Sequence, residues 1–406
     1  MKIQRGFKFR LKSLGKESNA FWQQAGACRF IWNFFLKRQE YRRSRGHYVE
    51  SFQTMCSHLT QLKKEVTWLK TVDSTVLQQV LKDLYRAYQD GFDKSQKNKR
   101  LPTLKKKHKS RPSFRYTQRV TITHGNRVYL PKLGTFGFHC SRDIIGKIKN
   151  TTVGYDSGHW YISFQTEYTR TERPHQSSTI VGIDLGVNRH TTLSSGFYVD
   201  GFKLIKDHQQ KLTRFQRQLA RKVKFSSNWQ KAKVRINKLH CKISRIRHDL
   251  LHKLSTIMSQ NHAVIVFEKL QVKHMTKSSK GTADNHGSMV KQKSGLNKSI
   301  LDQGWGKLIE LTTYKQAWRN GQTVKVNPAG TSQTCSCCGY RDKLNRQTQA
   351  VFHCIECGHT MNADDNASLN IEAAGHVVLA GGAPALASAL KRASSGFLES
   401  QPLLFN

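Results

Sequence analysis

The sequence predicts a multidomain α/β protein, and three features predict it. Helical periodicity dominates from Asn19 to Tyr88, and strand-like alternation takes over between residues 113 and 170. Beyond Pro174, two short apolar strands, each carrying one carboxylate, lie on either side of a long basic helical hairpin. A chain of 406 residues has room for two or three modules, each with its own core.

Composition narrows the function. The chain is 37% hydrophobic and 10% aromatic, which fits folded protein rather than a disordered polycation. It carries 68 Lys and Arg against 26 Asp and Glu, a formal net charge of +42. So much like charge is self-repulsive unless a polyanion neutralises it, and nucleic acid is the natural polyanion. An acidic membrane surface fits less well, because the basic residues run along the whole chain rather than beside an anchor. The opening "MKIQRGFKFRLKS" lacks the apolar run of a signal peptide. The stretch "AAGHVVLAGGAPALASAL" from Ala373 holds three glycines, a proline and a histidine, and reads as a loose tail rather than a membrane span. Of nine cysteines, Cys28, Cys56, Cys140 and Cys241 are scattered and five cluster at 335–357. That suits a reducing cytoplasm and a metal site, not a disulfide scaffold.

In chain order, a strand from Ile3 to Leu11 precedes three helical patterns. Their core stripes are Phe21, Ala25, Cys28 and Phe35; then Met55, Leu59, Leu62, Val66 and Leu69; then Leu77, Leu81, Leu84 and Tyr88. Ser74, Gln78 and Lys82 form a polar ridge beside the third stripe, which by itself reads as a solvated flank. Residues 94–111 hold nine Lys and Arg and no acid, either a flexible solvated loop or a track for a phosphate backbone. Residues 113–170 form a small antiparallel sheet or barrel, with Gly-Asn and Asp-Ser-Gly as hairpin turns.

A new domain begins with "STIVGIDLG", an apolar strand interrupted by Asp184. Strand candidates "HTTLSSG" and "FYVDGFKLI" follow, then a helical hairpin over about 206–260. Its second arm keeps Ala232, Ile236, Leu239, Ile243, Ile246, Leu250 and Leu254 on one seam. "AVIVFEKL" is a second apolar strand, ending at Glu268; residues 276–295 read as a polar, mobile loop; a helix is expected from Leu301 to Trp318 and a strand at "TVKVN".

Two constellations carry chemistry. Cys335-x2-Cys338 and Cys354-x2-Cys357, fifteen residues apart, have the spacing of two knuckles around a tetrahedral zinc, with Gly339 and Gly358 to turn each knuckle. Such a closed site is structural. Cys337 is too close to its neighbours to pair as well, and His353 and His359 are the alternative ligands. The second constellation is carboxylate. A lone Asp in an apolar strand is costly to bury unless it meets a cation or a partner. Asp184, Glu268 and either Asp364 or Asp365 would together make an oxygen-rich Mg²⁺ site, suited to phosphodiester hydrolysis with two ions about 4 Å apart. Equally, Asp364 and Asp365 could simply complement the positive N-terminus of the helix they open.

The motifs "GIDLGVN", "VIVFEKL", "TSQTCSCCG" and "CGHTMNADDNASLNI", in this order, resemble the RuvC-type nuclease and zinc ribbon of TnpB proteins, transposon-encoded RNA-guided nucleases related to type V CRISPR effectors. "RFIWN", "LPKLG", "RHDLLHKLS" and "DQGWGKL" extend the likeness, which covers about residues 1–375. The resemblance implies an RNase H-like (RuvC) nuclease domain at 173–327 and 359–375 with an inserted zinc ribbon at 328–358. It implies a wedge-like β-barrel from 1–12 and 110–172, a helical recognition lobe at 13–109, and a flexible tail at 376–406. Asp184, Glu268 and Asp364 are the implied catalytic, Mg²⁺-binding triad, two ions together, and the four knuckle cysteines the implied ligands of one zinc. Asp364 is preferred because the family's last acid stands two residues before the Asn-Ala pair, here Asn366-Ala367. Asp365, at a position more often apolar in relatives, and Cys337, usually a small polar residue, depart from the pattern.

The implied partners are a guide RNA and target double-stranded DNA, not a membrane. The guide pairs with the target while the protein holds the heteroduplex and reads a short flanking motif. Ser74 and Gln78 match the segment near that motif; the hairpin 206–260 and the run 94–111 supply basic surface. A prokaryotic cytoplasm follows, with nucleoid association when DNA is bound. Three other readings compete: an RNA-guided repressor with a decayed nuclease, a transposase proper, and a zinc-ribbon module without catalysis. The first should have lost a triad acid, the second should show an end-binding dimer, and the third leaves the strand carboxylates unexplained.

Overall fold

The computed structural model describes residues 2–381 apart from 13, 14, 97, 108, 124, 125, 172, 283 and 284; most of the expected tail, 382–406, lies outside the described residues. The chain forms two compact units, Met1–Thr171 and Glu172–Asn406.

The first unit opens with β1 (Lys2–Arg10), followed by α1 (Ser18–Ser44), α2 (Phe52–Glu65) and α3 (Ser74–Phe92). Strands β2 (Ser113–Tyr116), β3 (Thr121–Thr123), β4 (Arg127–Leu130), β5 (Gly134–Gly137), β6 (Lys147–Asp156) and β7 (His159–Thr169) complete it. They make two antiparallel sheets, ordered β1-β7-β6-β2 and β3-β4-β5, joined by a bridge between Leu11 and Phe138. The Asp-Ser-Gly signal becomes a two-residue hairpin turn, Ser157 and Gly158 both at positive φ with Asp156 opposite His159. Aromatic rings fill the core: Phe21 of α1 meets Phe136 edge-on at 4.8 Å and also packs on Phe114 and Trp160. All four members of the first predicted helical stripe are buried, and so are all four of the third. The second stripe crosses a boundary. The chain leaves helical geometry at Val66 (φ −98°, ψ 80°), and Leu69 reaches the core from a 3₁₀ turn. The basic run is not wholly loose either. Asn33 exchanges two hydrogen bonds with the backbone of Lys105, whose ammonium sits 3.5 Å from the Trp32 ring centroid, while Trp32 donates to the Thr103 carbonyl.

The second unit runs β8 (Ile180–Asp184), β9 (Arg189–Leu193), β10 (Tyr198–Asp200), α4 (Leu204–Asp207), α5 (Gln209–Ala220), α6 (Ser227–Asn261), β11 (Val264–Glu268) and α7 (Val272–Met275). It continues through α8 (Val290–Gln303), α9 (Trp305–Trp318), β12 (Gln322–Val326), β13 (Val351–His353), β14 (Thr360–Asn362) and α10 (Ala363–Leu379). A mixed sheet ordered β10-β9-β8-β11-β12 is its spine, with β8, β11 and β12 parallel and β9 and β10 antiparallel. Parallel strands are covered on both faces, which is why β8 and β11 read as apolar runs. Val181, Ile183, Ile265 and Phe267 pack with Leu251, Leu254 and Met258 of α6 and Leu308 and Leu311 of α9. Val266, Val324 and Val326 pack with Ile371 of α10.

Five expectations change. "FYVDGFKLI" is only partly strand, since helix resumes at Leu204. The loop expected over 276–295 ends at Val290, and the single helix expected from Leu301 is two, broken at Gly304 in the left-handed region (φ 73°). The seam of α6 slips from Leu250 to the buried Leu251, where the helix stops packing on α5 and starts packing on the sheet. Finally α10 continues to Leu379, so residues 376–379 are helix rather than tail. Among the described residues no helix is long and apolar enough to cross a membrane.

Candidate active site

Asp184 and Glu268 each close an inner strand. Register pairs Ile183 with Phe267 on parallel β8 and β11, so the two acids emerge side by side at the same end of the sheet. An apolar strand delivers a carboxylate here because its preceding residues are anchored in the core and leave it at the rim. Asp364 comes from the first turn of α10. Asn362 caps that helix, its side-chain oxygen accepting from the Asp364 N–H at 2.9 Å, a cap worth about 1 kcal/mol. What brings α10 down onto β8 is Gly182. A Cβ there would lie 2.2 Å from the Ser368 carbonyl oxygen and 2.4 Å from the Glu372 nitrogen. Only hydrogen fits.

The three carboxylates feel one another. Burial first, then Glu268 and Asp364, push Asp184 up to about 7. Glu268 is raised by burial, against the Thr331 hydroxyl that donates to its Oε1 at 2.5 Å. Asp364 is raised by burial, against the positive charges of Arg346 and Arg189. Such a set of half-buried, mutually repelling acids is what a divalent cation relieves, and hard carboxylate oxygens are the donors Mg²⁺ takes. The three do not close into one tight cage. Among the described residues, only the four knuckle cysteines form a group of three or more acids, thiols and imidazoles with ligand atoms all within 4.8 Å.

In that group the sulfurs of Cys335 and Cys357 are 3.7 Å apart and those of Cys338 and Cys354 3.6 Å apart. A tetrahedron of Zn–S bonds of ~2.3 Å has edges of ~3.8 Å; the two close pairs match that edge, and all four sulfurs lie within 4.8 Å of one another, so a small inward shift brings the four thiols onto one zinc ion. Gly339 and Gly358 turn the knuckles at φ 82° and 70°. Cys337 is exposed and stands outside the group. The histidines are engaged elsewhere, His353 with the Thr360 hydroxyl and His359 with the Met361 sulfur.

The ribbon also grips the helix that carries Asp364. Buried Asn366 accepts from the Ser336 N–H at 2.9 Å and donates to the Thr334 carbonyl at 2.8 Å. One turn on, Asn370 donates to the Thr331 and Thr334 carbonyls. The first knuckle, more than the second, therefore sets α10. Three residues around the carboxylates escaped sequence reasoning: Thr331 on Glu268, Arg346 from the ribbon, whose charge acts on Asp184 and Asp364, and Arg189, which bridges to Asp365. Thr331 opens the motif "TSQTCSCCG" but its cysteines drew the attention, and no local pattern marks Arg189 or Arg346; each of the three matters through partners distant in sequence.

Asp365 is an ion-pair residue here. Its two carboxylate oxygens each accept from Arg189 Nη1 at 3.3 Å. Ser74 and Gln78 are exposed on α3 of the first unit, with Ser74 Oγ accepting from Lys63 Nζ at 2.7 Å.

Three family models match parts of the chain: one described as "Probable transposase" over residues 163–279, one described as "Cas12f1-like, TNB domain" over 305–371, and a "Helix-turn-helix domain" over 1–47. The described residues of the last span form a strand, a 3₁₀ turn and one long helix, and no helix-turn-helix among them. A protein of Escherichia coli (strain K12) described as "Putative RNA-guided DNA endonuclease InsQ" is 46% identical over 94% of this chain and 95% of its own. A Streptomyces pristinaespiralis protein bearing the same description without the InsQ name is 30% identical over 92% of this chain and 90% of its own. The CRISPR-associated endodeoxyribonuclease Cas12f1 of Syntrophomonas palmitatica is 27% identical over 54% of this chain and 45% of its own.

Proposed function

The chain belongs to the TnpB family, and from that premise we propose that it is an RNA-guided DNA endonuclease which cuts guide-matched DNA beside a short flanking motif. The observation that carries the reading is the meeting of Asp184 and Glu268, side by side on neighbouring parallel strands, with Asp364 on the helix packed against β8. The mixed five-stranded sheet supports an RNase H-like assignment for the second unit, and the two bridged antiparallel sheets of the first support a wedge built around β1. In that assignment 13–109 is the recognition lobe and 328–358 the zinc ribbon, with zinc structural.

Asp184, Glu268 and Asp364 would hold two Mg²⁺ ions. Bound there, divalent cations supply an activated water and a charge sink for the leaving oxygen of the scissile phosphodiester. The chain does the rest. The sheet rim fixes two carboxylates, Asn362 and the ribbon fix the third, and Thr331 orients Glu268 by its hydroxyl. Arg346 brings positive charge from the ribbon to the same carboxylates, where a phosphate would approach. The net charge of +42 supports guide RNA and target DNA as the partners, held through their backbones.

The decisive experiment is Asp364→Ala. It should abolish Mg²⁺-dependent cleavage of guide-matched DNA while guide RNA and target still bind. Cleavage at the wild-type rate would sink the assignment of the triad. A repressor that binds without cutting is the alternative; the presence of all three acids argues against it.

A further inference from the structure

The second acid of the opening turn of α10 has a partner that the first must be kept from. We propose that Asp365 holds Arg189 aside, so that Asp364 stays open to a cation; Asp365 is a positioning residue that acts through an arginine rather than a ligand itself. This rests on the reading of Asp364 as a metal ligand.

Arg189 opens β9, and β9 pairs antiparallel with β8, so Arg189 stands at the end of the sheet where β8 delivers Asp184. Its guanidinium is held from two sides. Nη1 lies 3.3 Å from both Asp365 oxygens, and the guanidinium carbon lies 4.0 Å from the Tyr198 ring centroid. Asp364 is the preceding residue of the helix, its side chain turned by about 100°. The side chains of Arg189 and Asp365 are 24% and 30% exposed, so the pair is only partly screened by water. A guanidinium offers five N–H donors and suits carboxylates, and released from Asp365 it has another carboxylate within reach of its charge. The residue it is paired with stands directly after Asp364 in the first turn of α10, so a guanidinium seated on Asp365 is one residue from Asp364. In a chain so rich in cations, a resident guanidinium on Asp364 is the natural competitor of Mg²⁺. Asp365 occupies that guanidinium.

The test uses the full-length protein loaded with guide RNA. Two readouts are taken: the Mg²⁺ concentration for half-maximal target cleavage, and scission of the polypeptide beside bound Fe²⁺ in ascorbate and peroxide, mapped by mass spectrometry. The second needs no turnover. Asp365→Ala should raise the half-saturating Mg²⁺ by roughly three- to fivefold, the upper scale of one freed, partly exposed ion pair, and weaken Fe²⁺ scission near Asp364 at low iron. Adding Arg189→Ala in that background should bring both readouts back to within about twofold of wild type. Asp365→Glu, which keeps the charge, should match wild type and guards against a folding artefact. An Asp365→Ala protein indistinguishable from wild type overturns the proposal. So does a defect that Arg189→Ala fails to relieve, which would make Asp365 a ligand or a purely structural residue. Asp364→Ala separates the two levels: if scission there persists without Asp364, the metal assignment itself has failed, whatever Asp365 does.

Discussion

Replacing Gly182 by Ala should separate stability from catalysis. The added Cβ would stand 2.2 Å from the Ser368 oxygen and 2.4 Å from the Glu372 nitrogen, both backbone atoms of α10. An ordinary carbon–oxygen contact is no closer than ~3.3 Å, so the helix must retreat from β8 by about 1 Å. Overpacking of this kind costs about 1–3 kcal/mol, well within the 5–15 kcal/mol stability usual for a domain, so the protein stays folded. Asp364 rides on the retreating helix while Asp184, two residues beyond Gly182, stays with the sheet. A displacement of ~1 Å between catalytic groups can cost on the order of 100-fold in rate. Gly182→Ala should therefore lower the melting temperature by several degrees and slow single-turnover cleavage at saturating Mg²⁺ by about 100-fold, with guide binding unchanged. Gly6→Ala, whose Cβ would meet nothing within 4 Å, is the control. Cleavage by Gly182→Ala within threefold of wild type would refute the claim that this contact sets the distance between the two acids.

Zinc analysis of the purified protein should find one ion, lost in Cys338→Ser and kept in Cys337→Ser; the reverse would overturn the ligand set. Because Asn366 ties α10 to the first knuckle, Cys338→Ser should also lose cleavage while the first unit melts as in wild type. His190 is buried, accepts no proton readily and is pushed down to about 4 by burial, although its Nε2 meets the Gln303 carbonyl. The unfolded chain takes up that proton near pH 6.5, so stability is full above this pH and falls by about 3 kcal/mol as pH drops towards 4. Denaturant melts of His190→Phe should lack that component; an unchanged pH slope would dismiss it. Gln78→Ala should relax the flanking-motif preference in a randomised-library cleavage assay, since a Gln–adenine pair is worth roughly 1–3 kcal/mol of discrimination. An unchanged motif would return Gln78 to a solvated flank.

What the chain disclosed in advance follows from where information is local. Asp184 and Glu268 stood out because a carboxylate in an apolar run is costly, and the cysteine spacing carries its own geometry. The helical stripes of α1 and α3 were legible for the same reason: period and burial coincide. The seam of α6 was misread at Leu250 because the helix changes partner midway, which no single period encodes. The split between α8 and α9 rests on one left-handed glycine in a segment otherwise fit for one helix. Arg189 and Arg346, and the part played by Thr331 within its motif, were not legible because a basic or hydroxyl residue is unremarkable until the fold supplies its carboxylate.

The three acids also arrive at different times. A ribosome releases Asp184 and then Glu268, and at 5–20 residues per second roughly five to twenty seconds pass before Asp364 is made. Through that interval the first unit and most of the basic surface already exist, while the third carboxylate does not. If Asp364 completes the site as proposed, a nascent chain can meet RNA before it can cut DNA. On the proposed assignment, the order of the residues along the polypeptide completes the carboxylate site only after the first unit and most of the basic surface have been synthesised.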